Sequence, residues 1–276
     1  MNRPLPQDPM IRNLVSMARK SQLSRRTFLS GAGGSAVALG LAACATDAEI
    51  AAAEDISATD KTLNWSNWPF YIDEDDDGNY PTLSRFEAET GIAVNYMVDY
   101  DDNNTYYAKV RDQLQLGQDM GADIVVPTEW MAARWGQLGF VQELNEANIP
   151  NKANVVSSLA NPSWDPGRKK SLPWQGGFAG LVYNVDKVGE IRTVEDLWAP
   201  ELKGRVVVLS EMRDTVGLLM LANGVDISTE WGADEFNNAL DTLRAQVEAG
   251  QIRNLRGNSY TEDLVNEDAL AAIGWS

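Results

Sequence analysis

Short apolar runs alternate with segments of helical periodicity along the chain from residue 62 onwards. Apolar runs bounded by turn residues predict strands, and apolar residues that recur every three or four positions predict helices. The predicted strands cover residues 62–66, 92–97, 122–126, 178–184, 205–209 and 269–275. The predicted helices cover residues 82–90, 104–116, 130–138, 212–223 and 234–249. This alternation predicts an α/β fold with a mostly parallel sheet.

Glycine and asparagine mark the ends of two of these helices. Gly91 follows helix 82–90 at the position that favours a left-handed backbone. Helix 104–116 is predicted to begin at an asparagine cap and to end before Gly117. The second predicted strand and the turn after it therefore lie between these two helices.

A passage rich in Pro and Asn interrupts the alternation between residues 148 and 173. The sequence Leu-Pro-Trp-Gln-Gly-Gly at residues 172–177 follows it as a predicted crossing between two lobes. Residues 44–61 lack a periodic apolar pattern and are predicted to be a flexible tether. We therefore expect a first, partial lobe at residues 62–172 and a second lobe at residues 173–276.

The first 43 residues resemble a signal peptide. Arg25 and Arg26 stand before a short apolar segment, as in a twin-arginine export signal. The sequence Leu-Ala-Ala-Cys that ends at Cys44 resembles the lipobox of bacterial lipoproteins, in which this cysteine is acylated. Export by the twin-arginine translocase and lipid anchoring outside the cytoplasmic membrane are therefore expected. Cys44 is the only cysteine, so no intrachain disulfide can form.

The charge balance excludes several classes of partner. The chain has a net charge of −17, and residues 44–276 alone carry 17 basic and 39 acidic side chains. Such an acidic surface argues against nucleic acid and against anionic lipid, so the expected membrane contact is through the N-terminal lipid only. The chain has no histidine, which excludes Ser-His-Asp catalysis and histidine-ligated metals.

Aromatic and acidic side chains follow the predicted strands, where α/β sheets bind ligands. They are Trp68 and Tyr71 after the first strand, Thr128 and Trp130 after the third, Glu211 and Asp214 after strand 205–209, and Trp275 at the end of the last strand. Indole faces attract cations, and carboxylates accept charge-assisted hydrogen bonds. This combination suits a ligand that carries ammonium groups on an apolar stem.

Five segments resemble those of a known family in their sequences and in their order along the chain. They read Leu-Asn-Trp-Ser-Asn-Trp at 63–68, Glu-Thr-Gly-Ile-Ala-Val at 89–94, Asp-Ile-Val-Val-Pro at 123–127, Leu-Pro-Trp-Gln-Gly-Gly at 172–177 and Trp-Ala-Pro-Glu-Leu-Lys-Gly at 198–204. With these segments the chain resembles the spermidine/putrescine-binding proteins of bacterial ABC importers, within the type II extracellular solute-binding family. The resemblance implies a two-lobed α/β fold, a polyamine ligand held between the lobes, and delivery to a membrane permease by a monomer.

The resemblance also implies roles for single residues. Aromatic pocket positions of the first lobe fall on Trp68, Tyr71 and Trp130, and a hydroxyl position falls on Thr128. Two acidic positions that receive amine groups fall on Glu211 and Asp214, and a ring that stacks on the ligand stem falls on Trp275. The chain departs from the family where Pro69 and Phe70 replace a common Thr-Glu pair, and where Asp214 replaces a longer Glu.

The family sequence continues beyond the residue that matches Ser276, through a second crossing and C-terminal helices that carry further ligand residues. We therefore expect this chain to be a fragment or a truncated product with an incomplete type II fold. Weak or absent binding by the 276-residue chain alone is the corresponding expectation.

Other functions remain open at this stage. Tryptophans also stack on sugars, so a sugar or another neutral solute is an alternative ligand. A carboxylate-based hydrolase is the alternative from the enzyme class and would need two carboxylates across one bond. The acidic run at residues 73–78 lacks the glutamate that a calcium loop needs, and Tyr106 and Tyr107 occupy neighbouring helical positions that point apart. No enzyme activity, cofactor or metal is therefore predicted.

Overall fold

The computed structural model describes residues 53–276. The predicted export signal at Arg25 and Arg26, the lipidation site at Cys44 and the first part of the predicted tether lie outside the described residues. Within residues 53–276, none of the helices combines the length and the apolar character that a membrane span requires.

A three-stranded parallel sheet forms the first half of the described chain. Its strands lie in the order β2-β1-β3, with Thr62 opposite Ala93 and Trp65 opposite Ile124. The strands are β1 (Thr62–Asn67), β2 (Ala93–Val98) and β3 (Ile124–Val125). The helices are α1 (Pro81–Thr90), α2 (Asn103–Gln115) and α3 (Glu129–Gln137). We call this sheet with α1–α3 the first lobe.

A four-stranded sheet forms the second half, in the order β4-β7-β5-β6. Only the pairing of β4 with β7 is antiparallel. The strands are β4 (Ala179–Tyr183), β5 (Val206–Leu209), β6 (Ile252–Arg256) and β7 (Ala271–Trp275). The helices are α4 (Val185–Val188), α5 (Met212–Ala222), α6 (Ala233–Glu248) and α7 (Tyr260–Val265). We call this sheet with α4–α7 the second lobe.

Short 3-10 helices occupy parts of the connecting segments. Two lie between α3 and β4, at Glu146–Asn148 and Pro150–Asn154, and two lie between α4 and β5, at Val194–Trp198 and Pro200–Leu202. The segment 172–178 has no helix or strand and leads from the first lobe into β4.

Each lobe has its own apolar core. All four residues of β5 are buried, as expected for a central strand covered on both faces. The first lobe packs an aromatic core around Trp68, Tyr106 and Trp135. Trp275, at the end of β7, packs against the cores of both lobes. This residue therefore lies where the lobes meet.

The structure corrects two details of the helix and strand predictions. The cap of α2 is Asp102 rather than an asparagine, because the Asp102 carboxylate accepts a hydrogen bond from the backbone N–H of Thr105 at 2.9 Å. The predicted strand 122–126 is reduced to the two residues of β3. Gly91 has the predicted left-handed backbone, with φ of 70°, and its N–H bonds to the carbonyl of Glu87.

Candidate ligand-binding site

The ends of strands from both lobes meet around two indole–carboxylate pairs. Trp130, near the start of α3, donates its Nε1–H to Oε2 of Glu211 at 2.9 Å. Trp275, at the end of β7, donates its Nε1–H to Oδ2 of Asp214 at 2.7 Å. Glu211 and Asp214 both lie at the start of α5. The start of α5 therefore accepts hydrogen bonds from one tryptophan of each lobe.

The first-lobe wall of this site is a fixed aromatic cluster. Trp68 is buried and donates its Nε1–H to the carbonyl of Val126 at 2.6 Å. Its ring lies 6.2 Å from Tyr71 and 5.1 Å from Tyr100 between centroids. Burial raises the pKa of the Tyr71 phenol. The wall is therefore apolar and held in one orientation by a hydrogen bond.

Trp275 joins this wall to the second lobe. Its ring meets Trp68 edge to face, with centroids 5.6 Å apart. The hydroxyl of Tyr260 accepts from the Trp275 backbone N–H at 3.0 Å and donates to its carbonyl at 2.8 Å. A Cβ at Gly274 would lie 2.5 Å from the Tyr260 ring, so only glycine allows this approach. Contacts with Trp68, Tyr260 and Asp214 therefore fix the position of Trp275.

Glu211 is a buried carboxyl group with capacity for a further partner. It is 1% exposed, and its Oε1 has no hydrogen-bond partner among the described residues. Burial raises the pKa of the Glu211 carboxyl, and the negative charges of Asp102 and Asp214 add to this shift. The Trp130 N–H and the nearby Asn103 amide oppose it. A bound cation beside Oε1 would favour the ionised carboxylate and return the pKa towards its ordinary range.

Near Glu211, one buried polar atom of Asn103 and one of Thr128 also lack a hydrogen-bond partner within residues 53–276. The side chain of Asn103 accepts from the backbone N–H of Thr128 at 3.0 Å, which joins the starts of α2 and α3. The Nδ2 of Asn103 and the Oγ1 of Thr128 have no hydrogen-bond partner within residues 53–276. Buried polar groups are normally paired, so these atoms are candidates for contact with a polar ligand.

A cation already covers one face of Trp130. The guanidinium of Arg213 lies 5.0 Å from the Trp130 ring centroid, within the range of a cation–π contact. Arg213 lies between Glu211 and Asp214, and it forms no ion pair with either of them in the part of the chain that the structure describes. The Trp130 ring can therefore attract a positive charge, as the sequence prediction requires.

The structure thus brings the predicted site residues together in two neighbouring groups. One group contains Trp68, Tyr71, Asp214 and Trp275, and the other contains Thr128, Trp130 and Glu211. Phe70, one of the two departures from the family pattern, is 77% exposed with φ of 65°.

Sequence reasoning missed the residues after β2 and β6. Asp101, Asp102 and Asn103 follow β2, and the rule that was applied to the first and third strands would have found them. Gly257–Ser259 follow β6, which was not predicted because its exposed Arg253 and Arg256 hide the strand pattern. These segments form further contacts between the lobes.

An open depression of about 400 Å³ lies elsewhere, between residues 146 and 168. None of the predicted site residues lines it. Its buried basic group, Arg168, already bonds to the carbonyl of Leu159 and to the hydroxyl of Ser171. The other charged groups in its lining, Lys152 and Glu146, form an ion pair at 2.7 Å. Each charged side chain of the depression therefore already has a protein partner.

The two metal-like patterns have other uses in the structure. Asp75, in the acidic run, accepts hydrogen bonds from its own loop at Asp77 and Asn79. Tyr106 and Tyr107 are buried in the aromatic core beside Trp135. Within residues 53–276, no group of three His, Cys, Asp or Glu side chains has the geometry of a metal site.

Aromatic side chains and carboxylates that meet between two α/β lobes are the arrangement expected of a solute-binding protein. Residues 82–276 match the family model of the bacterial extracellular solute-binding proteins, and the chain belongs to this family. The membership confirms the class predicted from the sequence, a solute-binding protein rather than an enzyme.

Several known proteins are similar to this chain. The spermidine/putrescine-binding periplasmic protein 1 of Haemophilus influenzae is 30% identical over 197 residues, which is 70% of this chain and 52% of the relative. The putrescine-binding periplasmic protein PotF of Escherichia coli is 30% identical, over 80% of this chain and 60% of its own length. The chain therefore spans about half to two thirds of the length of these relatives.

A solved structure confirms the predicted fold class. The putative spermidine/putrescine ABC transporter protein from Listeria monocytogenes superposes with a TM-score of 0.64, over 78% of this chain and 63% of that one. The identity is 23%, so this similarity concerns the fold. The fold of the described residues is that of the type II periplasmic-binding proteins.

Proposed function

We propose that this chain is the extracytoplasmic substrate-binding subunit of an ABC importer and that it captures a polyamine such as putrescine or spermidine between its lobes. The observation that carries the proposal is the pair of carboxylates at the start of α5, each held by an indole N–H. A ligand that contacts both lobes would favour the closed form, which is then presented to a permease. The proposed lobe boundaries are residues 62–172 and 173–276.

The chemistry of the site favours amines over neutral solutes. Glu211 keeps Oε1 free of partners within the described residues, and Asp214 has one oxygen bonded to Trp275. Charge-assisted hydrogen bonds from ammonium groups would satisfy such oxygens and offset the cost of burying the Glu211 carboxylate. The rings of Trp68 and Trp275 would cover the methylene stem. Both relatives described above carry polyamine names, which supports the same class of ligand.

The experiment is a thermal-shift series on the product of the complete reading frame. The ligands are putrescine, spermidine, spermine and maltose at equal concentration and ionic strength. We expect the amines to raise the melting temperature in a saturable way, because a ligand of the folded state stabilises it by mass action. No shift with maltose is expected. A shift with maltose and none with any amine would favour the neutral-solute alternative.

We also propose that the chain is exported by the twin-arginine translocase as a monomer and anchored by acylation of Cys44, with no other membrane contact. The support is the sequence pattern around Arg25, Arg26 and Cys44. We expect Cys44→Ser to abolish incorporation of labelled palmitate while export continues, and Arg25→Lys with Arg26→Lys to retain the protein in the cytoplasm.

Fractionation and lipid labelling in the parent organism or a related host test this directly. The matched control is the pair Arg19→Lys with Lys20→Arg, which keeps the charge outside the twin-arginine pair. Undiminished labelling of Cys44→Ser, or normal export of the double-lysine variant, would show that the pattern is not used.

A further inference from the structure

The turn after β2 makes hydrogen bonds to the second lobe outside the predicted ligand residues. The backbone carbonyl of Asp101 accepts from the N–H of Asn258 at 2.9 Å. The Asp101 carboxylate accepts from the N–H of Ser259 at 2.8 Å. Both donors belong to the loop between β6 and α7, so Asp101 binds the end of β6 with its main chain and its side chain.

Asp102 makes the corresponding contact to the end of β5. The hydroxyl of Ser210 donates to Oδ2 of Asp102 at 2.6 Å. The other oxygen of Asp102 caps α2 through the N–H of Thr105. Asp102 is 6% exposed, and each of its carboxylate oxygens accepts a hydrogen bond from the protein. Ser210 directly precedes Glu211, so this bond holds the residue next to the proposed ligand carboxylate.

Gly257 makes the approach of the two lobes possible. A Cβ built at Gly257 would lie 1.9 Å from the carbonyl oxygen of Asp101 and 2.5 Å from its carbonyl carbon. Both atoms are backbone, so no side-chain rotation could relieve the overlap. Any residue other than glycine must therefore push the end of β6 away from the turn after β2.

We infer that Asp101, Asp102, Ser210 and Gly257–Ser259 form an interlobe latch, which positions the start of α5 for ligand binding. The latch residues touch no ligand; they act through Glu211 and Asp214, which follow Ser210 on the same segment. The consequence for binding depends on the proposed function, whereas the latch itself consists of hydrogen bonds between protein groups alone. The latch can therefore be tested without a ligand.

The test measures the distance between the lobes in Gly257→Ala. Spin labels are placed at Glu89→Cys on α1 and Glu248→Cys on α6, both exposed, in a Cys44→Ser background of the product of the complete reading frame. We expect a short, narrow distance distribution for the parent and a longer, broader one for Gly257→Ala, both without ligand. Gly180→Ala, also in the second lobe with nothing within 4 Å of its Cβ, is the matched control and should follow the parent.

A second variant keeps the inference testable if Gly257→Ala does not fold. Ser210→Ala removes the hydroxyl that bonds to Asp102 and adds no volume, so the same lengthening is expected to a smaller degree. A distance distribution that is unchanged in both variants, or in Gly257→Ala when that variant folds, would overturn the latch.

Ligand titration separates this inference from the proposed function. If the parent binds putrescine, Gly257→Ala should bind it roughly 10- to 100-fold more weakly, because a smaller fraction of molecules is in the binding-competent arrangement. Equal affinities would overturn the positioning role although the proposed function stands. If the parent binds no amine, the proposed function fails while the distance measurement still decides the latch.

Discussion

We expect the substitution Glu211→Gln to weaken the binding of putrescine and spermidine by roughly 30-fold or more. Glu211 is 1% exposed, bonded to Trp130 through one oxygen and free of partners within the described residues at the other. Glutamine keeps the shape of the side chain but removes the charge. Loss of one member of a buried, hydrogen-bonded charge pair typically costs about 2 to 5 kcal/mol of binding free energy.

The same substitution should stabilise the ligand-free protein near neutral pH. Burial raises the pKa of the Glu211 carboxyl in the folded state, so the folded protein holds this proton to higher pH than the unfolded chain does. The stabilisation is complete below the pKa of the unfolded state and is lost as the pH rises through the pKa of the folded state. Glutamine does not titrate, so the variant does not lose this stability. The difference in the free energy of unfolding between Glu211→Gln and the parent protein should therefore grow between the unfolded-state pKa and the folded-state pKa and stay constant above them.

Calorimetric titration and unfolding curves at several pH values measure both effects on the product of the complete reading frame. The matched control is Glu248→Gln, an exposed acid at the end of α6 in the same lobe, for which we expect changes within about 0.5 kcal/mol. Undiminished amine binding by Glu211→Gln would remove this residue from the site. If the stability of ligand-free Glu211→Gln falls with rising pH as much as that of the parent protein, the raised pKa of Glu211 would be contradicted.

The second large effect is expected for Trp275→Ala, which should abolish measurable amine binding and lower stability by about 3 kcal/mol. The ring packs against the cores of both lobes and meets Trp68 at 5.6 Å. Its N–H also holds Asp214 at 2.7 Å. Alanine therefore removes a wall of the site, the orientation of a carboxylate and a contact between the lobes.

Trp275→Phe separates these contributions. Phenylalanine keeps a ring beside Trp68 but cannot donate to Asp214, so we expect a smaller loss of stability and a clear loss of affinity. Trp231→Ala is the matched control, because Trp231 is 48% exposed in the second lobe and, among residues 53–276, its ring stacks on Phe236 alone. Thermal unfolding and calorimetric titration of the three variants suffice. If Trp275→Ala binds amines as well as Trp231→Ala does, the ring is not part of the site.

The parts of the fold that were predicted from sequence are those whose signal is local. The four apolar residues of β5 predict a buried strand directly, and Gly91 marks the end of α1 by its backbone preference. The rule that ligands bind after parallel strands selected Glu211 and Trp130, and the structure joins these two by a hydrogen bond. The ligand roles of these residues remain proposals.

The parts that were missed depend on contacts between distant segments. β6 is an edge strand with exposed arginines, so its apolar pattern is too weak to predict a strand. The latch joins Asp101 to residues more than 150 positions away, at Gly257 and Ser259. Periodicity carries no information about which loops meet, and a glycine that is required by a close approach looks like any other glycine in the sequence.

Comparison of putrescine with butane-1,4-diol by calorimetric titration tests the central claim most directly. The diol has the same chain length but carries no charge. The claim is that the carboxylates of Glu211 and Asp214 and the indole rings together hold a cationic amine between the lobes. Putrescine should therefore bind saturably, and the diol should give no heat of binding. Binding of the diol or of maltose by a protein that ignores putrescine, spermidine and spermine would contradict the account.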